Sequence, residues 1–288
     1  MGTVWELDFY SRPIVDERGK KRWEVLISEG VQTVNADYEN LFQYSKFLSN
    51  TEVNSIQLEA AIKEAIAQAP TPPSRIRFFR YAMQAMIERA CGELNIPARL
   101  SRRTIALQQL LEHRQQAVYP QEPGYEPSSN PTIGPPPPSP RSLPDALVGQ
   151  QWAFVTLSAQ DFAEMPEWEI DFGEAFPLEM VEISAETRIP GVIIFSSRAL
   201  PLAGWMSGLD LAYLSASPAA KPTQLLLETG TIETWILANL STPNTQAEAQ
   251  NFEQAKQAAN QVHFVAVQAD PEAQSFAGFW LLQERLFG

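Results

Sequence analysis

Residues 119–144 read "YPQEPGYEPSSNPTIGPPPPSPRSLP". Proline fixes φ and carries no N–H, and no apolar periodicity survives across the run, so neither a helix nor a central strand fits it. Whatever lies on each side must fold around its own core. The sequence predicts an extended, partly polyproline II linker over 119–149, between a first domain over 1–118 and a second over 150–288. Charge changes at the same place. Residues 1–120 hold 15 Lys/Arg against 14 Asp/Glu, and residues 121–288 hold 6 against 20, so the halves carry +1 and −14, together the −13 of the chain. That balance argues against a generic polyanion binder and confines basic character to the first half.

The first domain opens on alternation. Trp5, Leu7 and Phe9 interleave with Glu6, Asp8 and Tyr10, "DERGKK" marks a turn, and Trp23, Val25 and Ile27 resume the period of two. This is a β-hairpin with one buried face. A third strand is expected over 41–49. Leu58, Ile62, Ala65, Ile66 and Ala69 then recur at helical spacing, stopped by Pro70, Pro72 and Pro73. "RIRFFR" reads as a strand, Met83, Met86, Ile87, Ala90 and Leu94 as a second helix, "IPARLS" as a short strand, and Leu107, Leu110 and Leu111 as a third helix. In the second domain "WAFVTL", "GVIIFSS", "LAYLSA", "QLLLET", "IETWILANL", "HFVAVQ" and "FAGFWLLQ" are strand candidates, with helices over 199–209 and 247–261. The fold class is mixed α/β (α+β): two domains, each a mixed sheet with packed helices. "WEIDF" at 168–172 faintly echoes "WELDF" at 5–9, as a duplication would.

The single cysteine, Cys91, sits among Met86, Ile87, Ala90 and Leu94 and reads as a core thiol in a reducing compartment. No stretch approaches the roughly 20 apolar residues of a membrane span. The opening "MGTVWELDFYSRP" has neither the basic start nor the apolar run of a targeting segment, so the expected location is cytoplasmic.

Three kinds of chemistry compete. Glu6 and Asp8 share a strand face and Glu24 lies on the partner strand, a set that can hold a divalent cation for phosphodiester cleavage, as in a nuclease or its inactive descendant. No Glu-X-Lys triplet falls inside either strand, and the competing reading is a solvated strand face with cross-strand pairs involving Arg12 or Arg22. His113 and His263 are too few for a zinc site or a histidine triad, and no phosphate-binding or dinucleotide glycine loop is present. No cofactor and no metal are expected. The arginines remain. Residues 75–114 carry Arg75, Arg77, Arg80, Arg89, Arg99, Arg102, Arg103 and Arg114 against only Glu88, Glu93 and Glu112, with no lysine among them. A guanidinium suits phosphates and stacks on bases. Ser101 reads as an N-cap, which places Arg102 and Arg103 on the first two helical positions, where they oppose the helix dipole unless an anion docks there. Phe79 or Tyr81 would stack an unpaired base. The expected RNA surface is Arg75, Arg77, Phe79, Arg80, Tyr81, Arg99, Arg102 and Arg103, with no catalytic residue. A third reading is an assembly scaffold in which the acidic second domain binds a protein.

The opening "WELDFYSRPIVDERGKKRWEVLI" and the closing "GFWLLQ" resemble the Tab-two/Atab-two family of cyanobacteria, algae and plants. The resemblance implies a non-enzymatic RNA-binding protein. Chloroplast members look like A/U-rich RNA-binding factors that promote translation of photosystem I reaction-centre mRNA. It also implies single-stranded, A/U-rich RNA as partner, a possible second partner in the translation machinery, and a cyanobacterial cytoplasm or, for eukaryotic relatives, a chloroplast stroma. It implies no base-reading residues. Trp5, Phe9, Trp23, Phe279, Trp280, Leu281 and Leu282, which carry the resemblance, read as core positions.

Overall fold

The structure is a computed structural model and describes residues 3–127, 139–217 and 223–285. The chain divides into two compact units, Met1–Val31 with Asp37–Pro135 and Phe287–Gly288, and Gln32–Ala36 with Pro136–Leu286.

The first unit runs β1 (Thr3–Val15), β2 (Lys21–Glu29), β3 (Gln43–Leu48), α1 (Ser55–Gln68), β4 (Pro73–Phe78), α2 (Gln84–Glu93), β5 (Ala98–Leu100) and α3 (Ile105–His113). The strands form one sheet in the order β3-β2-β1-β4-β5. β2 is antiparallel to both its neighbours, while β1, β4 and β5 run parallel. Pairing puts Leu7 opposite Ile27 and Phe9 opposite Val25, so the apolar set of the hairpin shares one face. That face packs with Leu58, Ile62 and Ala65 of α1 and Ile87, Ala90 and Cys91 of α2. Burial, with the Glu88 charge, pushes the Cys91 thiol up to about 12, as expected of an inert core thiol. The opposite face carries Glu6, Asp8, Glu24 and Leu26, and α3 packs across it through Leu107, which meets Leu26 and Phe79.

The expected linker begins too early. Tyr119 is fully buried. Val15 N donates to Gly124 O at 2.8 Å, Glu126 N donates to Pro13 O at 2.9 Å, and Ile14 bridges Tyr125. Gly124 has φ +82°, and a Cβ there would stand 2.1 Å from Val15 O, so this strap needs glycine. Prolines at 120, 123 and 127 are compatible with a strap that uses only a few N–H groups. Residues 128–138, the centre of the proline run, lie outside the described residues.

The second unit opens with β6 (Arg141–Ser142) and continues β7 (Gln151–Ser158), β8 (Ile170–Glu174), β9 (Arg188–Phe195), α4 (Ala199–Ser207), β10 (Leu211–Ser217), β11 (Thr223–Thr229), β12 (Glu233–Leu240), α5 (Pro243–Ala258), β13 (Val262–Gln268) and β14 (Phe276–Gln283). Two sheets result, β10-β11-β12-β6 and β7-β9-β13-β14-β8. Leu214, Leu225 and Leu227 of the first pack with Val265, Val267, Trp280 and Leu282 of the second, with Leu202, Ala203 and Met206 of α4 and Phe252 of α5 between them. On the other face of the five-stranded sheet Phe264 and Phe279 stack at 5.0 Å. "WELDF" forms the central strand of the first sheet whereas "WEIDF" falls at the edge strand β8, so the two echoing segments do not occupy equivalent places.

α5 starts earlier than its apolar spacing predicts. Thr242 caps it by accepting from Thr245 N, and Pro243 takes the first helical position. Its buried stripe includes Lys256, which is fully buried. Lys256 Nζ donates to Leu214 O at 2.8 Å and pairs with Glu253 at 2.9 Å and Glu284 at 2.7 Å. Beside it, buried His263 accepts from Leu214 N through Nε2 at 2.8 Å and donates from Nδ1 to Gln261 O at 2.9 Å. Burial and then the Lys256 charge push the imidazole down to about 3, although the Gln261 contact favours the proton. Between the ordinary histidine value near 6.5 and about 3, the unfolded chain takes up a proton that the folded one refuses. Stability therefore falls as pH falls through this window, by up to about 1.4 kcal/mol per pH unit from this group. Urea unfolding at several pH values should show a steeper loss for the natural chain than for His263→Gln; coincident slopes would contradict the assignment.

Candidate nucleic-acid interface

The polar face of the first sheet is a buried ion network. Arg12 Nε donates to Glu24 Oε2 at 2.7 Å and Arg12 Nη1 to Asp8 Oδ2 at 2.8 Å. Arg80 Nε donates to Asp8 Oδ1 at 2.6 Å and Nη2 to Asp8 Oδ2 at 3.3 Å. Glu24 also accepts from Ser45 Oγ at 3.0 Å, from Tyr119 Oη at 2.5 Å and from Arg114 Nη2. Burial alone would raise the Asp8 carboxyl, but the charges and hydrogen bonds of Arg12 and Arg80 hold it below the ordinary carboxylate range. Burial alone would lower Arg12, yet Asp8, Tyr119 and Glu24 raise it. The Tyr119 hydroxyl is pushed up, chiefly by burial.

Glu6 answers the question of the helix end. α3 begins at Ile105, with Thr104 rather than Ser101 at the N-cap position. Leu107 N, in the first turn, donates to Glu6 Oε2 at 2.8 Å. The anion at this helix terminus is thus the protein's own carboxylate, and Arg102 and Arg103 precede the helix instead of opening it. Ser101 Oγ accepts from Arg103 N at 3.0 Å, a local turn. Gly30 makes room for Glu6: a Cβ there would stand 2.7 Å from Glu6 Oε1. The three hairpin carboxylates are therefore engaged by guanidinium groups, hydroxyls and a backbone N–H. Among the described residues no group of three or more His, Cys, Asp or Glu is arranged to hold a metal.

The eight expected RNA contacts separate by burial. Arg77 is 2% exposed, Arg80 7%, Arg103 7% and Phe79 5%. Phe79 packs on Leu26 and Leu107, so its ring faces are closed to a base. Arg80 is bonded to Asp8 and stacked between Tyr10 at 3.9 Å and Phe79 at 4.8 Å. Tyr81 is 43% exposed, Arg99 is exposed, and Arg75 and Arg102 are half-buried. Arg77 and Arg99 are register partners across β4 and β5, and Arg75 lies on the same face two residues earlier. The backbone thus sets Arg75, Arg99 and Arg102 along the β4–β5 margin. At about 3.3 Å per residue, this row covers roughly 16 Å. Because β4 and β5 are parallel, Tyr81 and Arg102 leave the sheet at the same end. The structure does not bring Arg75 to that end. Of the two arginines the sequence offered as partners of the hairpin acids, Arg12 takes that place, whereas Arg22 pairs with Glu122 at 3.4 Å. Sequence reasoning missed Arg114 and Tyr119; the signal was an arginine and an aromatic close after a helix, opposite a face with three acids.

Two models of one family match the chain, described as "RNA-binding protein Tab2/Atab2 N terminal" over residues 4–114 and "RNA-binding protein Tab2/Atab2, C-terminal domain" over 130–283. The chain belongs to this family of RNA-binding proteins. It is 36% identical over 285 residues to the protein TAB2 homolog, chloroplastic, of Zea mays, covering 96% of this chain and 70% of the relative. It is 37% identical over 286 residues to the namesake of Arabidopsis thaliana, covering 96% and 74%. No solved structure matches. Of the residues that carried the family resemblance, Trp5, Phe9, Phe279, Trp280, Leu281 and Leu282 are buried, and Trp23 packs against the first core.

The network makes a direct prediction about stability. Arg12→Met leaves two buried carboxylates short of a cation and should cost about 3–5 kcal/mol in urea unfolding. Loss of less than about 1 kcal/mol would show that the ion pairs are not formed as described.

Proposed function

We propose that the first unit binds single-stranded, A/U-rich RNA along the β4–β5 margin, as a non-enzymatic factor in translation of photosystem mRNAs and photosystem biogenesis. The family supports RNA as ligand, and the chloroplastic relatives support a photosynthetic setting. The observation that carries the surface is the solvent exposure of the β4–β5 margin, with Arg99 and Tyr81 exposed and Arg75 and Arg102 half-buried beside them. Arg75, Arg99 and Arg102 contact phosphates, and Tyr81 stacks on an unpaired base at the carboxyl end of the parallel strands, where open sheets commonly receive ligands. Arg77, Arg80, Phe79 and Arg103 act from behind this surface.

The second unit contributes differently. Residues 159–187 carry nine Asp/Glu and no Lys/Arg. Such a surface repels RNA and suits a cationic protein, with a component of the translation machinery as the proposed partner.

Binding should be salt-dependent. Phosphate contacts release counterions, so log affinity falls with log salt by about 0.7 per contact on a single strand. Titration of an A/U-rich single-stranded oligonucleotide between about 50 and 200 mM salt should show a steep slope, and Arg99→Ala/Arg102→Ala should reduce that slope by about 1.4. A flat dependence, or a double variant that titrates like the natural chain, contradicts the proposed surface. A G/C-rich strand bound equally well contradicts the base preference alone.

A further inference from the structure

Tyr81, which is exposed, follows in the chain directly on Arg80, where a continuous run of buried contacts ends. Tyr119 Oη donates to Glu24 Oε2 at 2.5 Å, Arg12 Nε donates to the same oxygen at 2.7 Å, and Arg12 Nη1 donates to Asp8 Oδ2 at 2.8 Å. Asp8 receives both Nε and Nη2 of Arg80, at 2.6 and 3.3 Å. The Arg80 guanidinium lies 3.9 Å from the Tyr10 ring centroid and 4.8 Å from that of Phe79, which limits its rotamers. Arg80 is the last extended residue before the short turn Tyr81–Met83, and Met83 N closes that turn by donating to Arg80 O at 3.1 Å. The backbone that presents Tyr81 is therefore held by the Arg80 side chain before the ring and by the turn after it.

Resting on the RNA-binding reading above, we infer that Asp8 and Arg80 are positioning residues for the Tyr81 ring, and that Tyr119 sets the same position through Glu24 and Arg12. The ligand feature served is an unpaired base. A ring that must order itself on binding loses affinity, whereas one already held in place does not. The run couples two places far apart in sequence. One is the turn that meets RNA. The other is the strap over 119–126, where the first unit hands the chain to the proline-rich segment. Whatever draws Tyr119 away from Glu24 loosens Asp8 and Arg80 and with them the ring.

The test is a double-mutant cycle on the full chain, read by anisotropy of an A/U-rich single-stranded RNA at one salt concentration, with thermal midpoints measured on every variant. Tyr81→Ala should weaken binding about tenfold or more, the effect of losing one base stack. Tyr119→Phe removes one buried hydroxyl and keeps the ring; Arg80→Lys keeps the charge and loses the planar fork. Each should weaken binding severalfold at a temperature where the variant is fully folded. In the Tyr81→Ala background neither should weaken it further, because a residue that acts through the ring has nothing left to position. Losses of equal size in both backgrounds would overturn the inference. So would natural affinity in Tyr119→Phe and Arg80→Lys alongside a weakened Tyr81→Ala, which would leave the RNA reading standing. Natural affinity in Tyr81→Ala overturns the inference together with the base stack assigned to Tyr81, and leaves the phosphate contacts to the salt titration; no binding by the natural chain overturns both readings.

Discussion

Three carboxylates on one face of a hairpin, Glu6, Asp8 and Glu24, have been taken out of water. A buried charge costs several kcal/mol unless it is paired and hydrogen-bonded. Each of these has donors supplied from elsewhere in the chain. Asp8 receives Arg12 and Arg80; Glu24 receives Arg12, Arg114, Ser45 and Tyr119; Glu6 receives the first turn of α3. Those donors come from β1 itself, β3, the exit of β4, the start and end of α3 and the strap after it. Satisfying the acids thus fixes where β4 ends, where α3 starts and how the chain leaves the first unit. The same pairing draws Arg12, Arg80 and Arg114 into the fold, while Arg99 stays exposed and Arg75 and Arg102 half-buried at the β4–β5 margin, where a phosphate chain is proposed to lie.

The second unit solves burial by other means. Both faces of its five-stranded sheet are apolar, and one fully buried cation, Lys256, joins α5, β10 and the end of β14. His263 stays neutral next to it because burial and the neighbouring ammonium both disfavour a second charge. The acids gather on its surface, notably over 159–187. Two units of opposite character follow, one with accessible arginines and one with an anionic skin.

Much of this was legible in residue spacing. Strands β1 to β5 and helices α1 and α2 follow from periods of 2 and 3.6 and from the prolines that stop α1. What was not legible has particular causes. Alternation labels Glu6, Asp8 and Arg77 as a polar face, and a polar face reads as solvent until tertiary pairing buries it. Ser101 looks like a cap because a hydroxyl bonds a nearby N–H in a turn as readily as at a helix start, and Arg103 N shows the turn. Tyr119 looks like the first residue of a linker because its partner, Glu24, is far away in sequence. Lys256 was missed although it falls four residues after Phe252, on the buried stripe, since a helix is read by its apolar residues. Phe79 shares a face with Arg75 and Arg77, and nothing local distinguishes a ring under α3 from one open to a base. The RNA surface was only partly visible, because exposure, not residue type, separates Arg99 and Arg102 from Arg77 and Arg103.

Family membership makes RNA the ligand class, and the architecture narrows where it would lie. The most direct test is photo-crosslinking of the full chain to single-stranded A/U-rich RNA containing 4-thiouridine, followed by mass spectrometry of the joined peptides. The account predicts crosslinks on peptides that contain Tyr81 and on those spanning residues 98–104. Crosslinks confined to the second unit, or to the outer surfaces of α1 and α2, would contradict it.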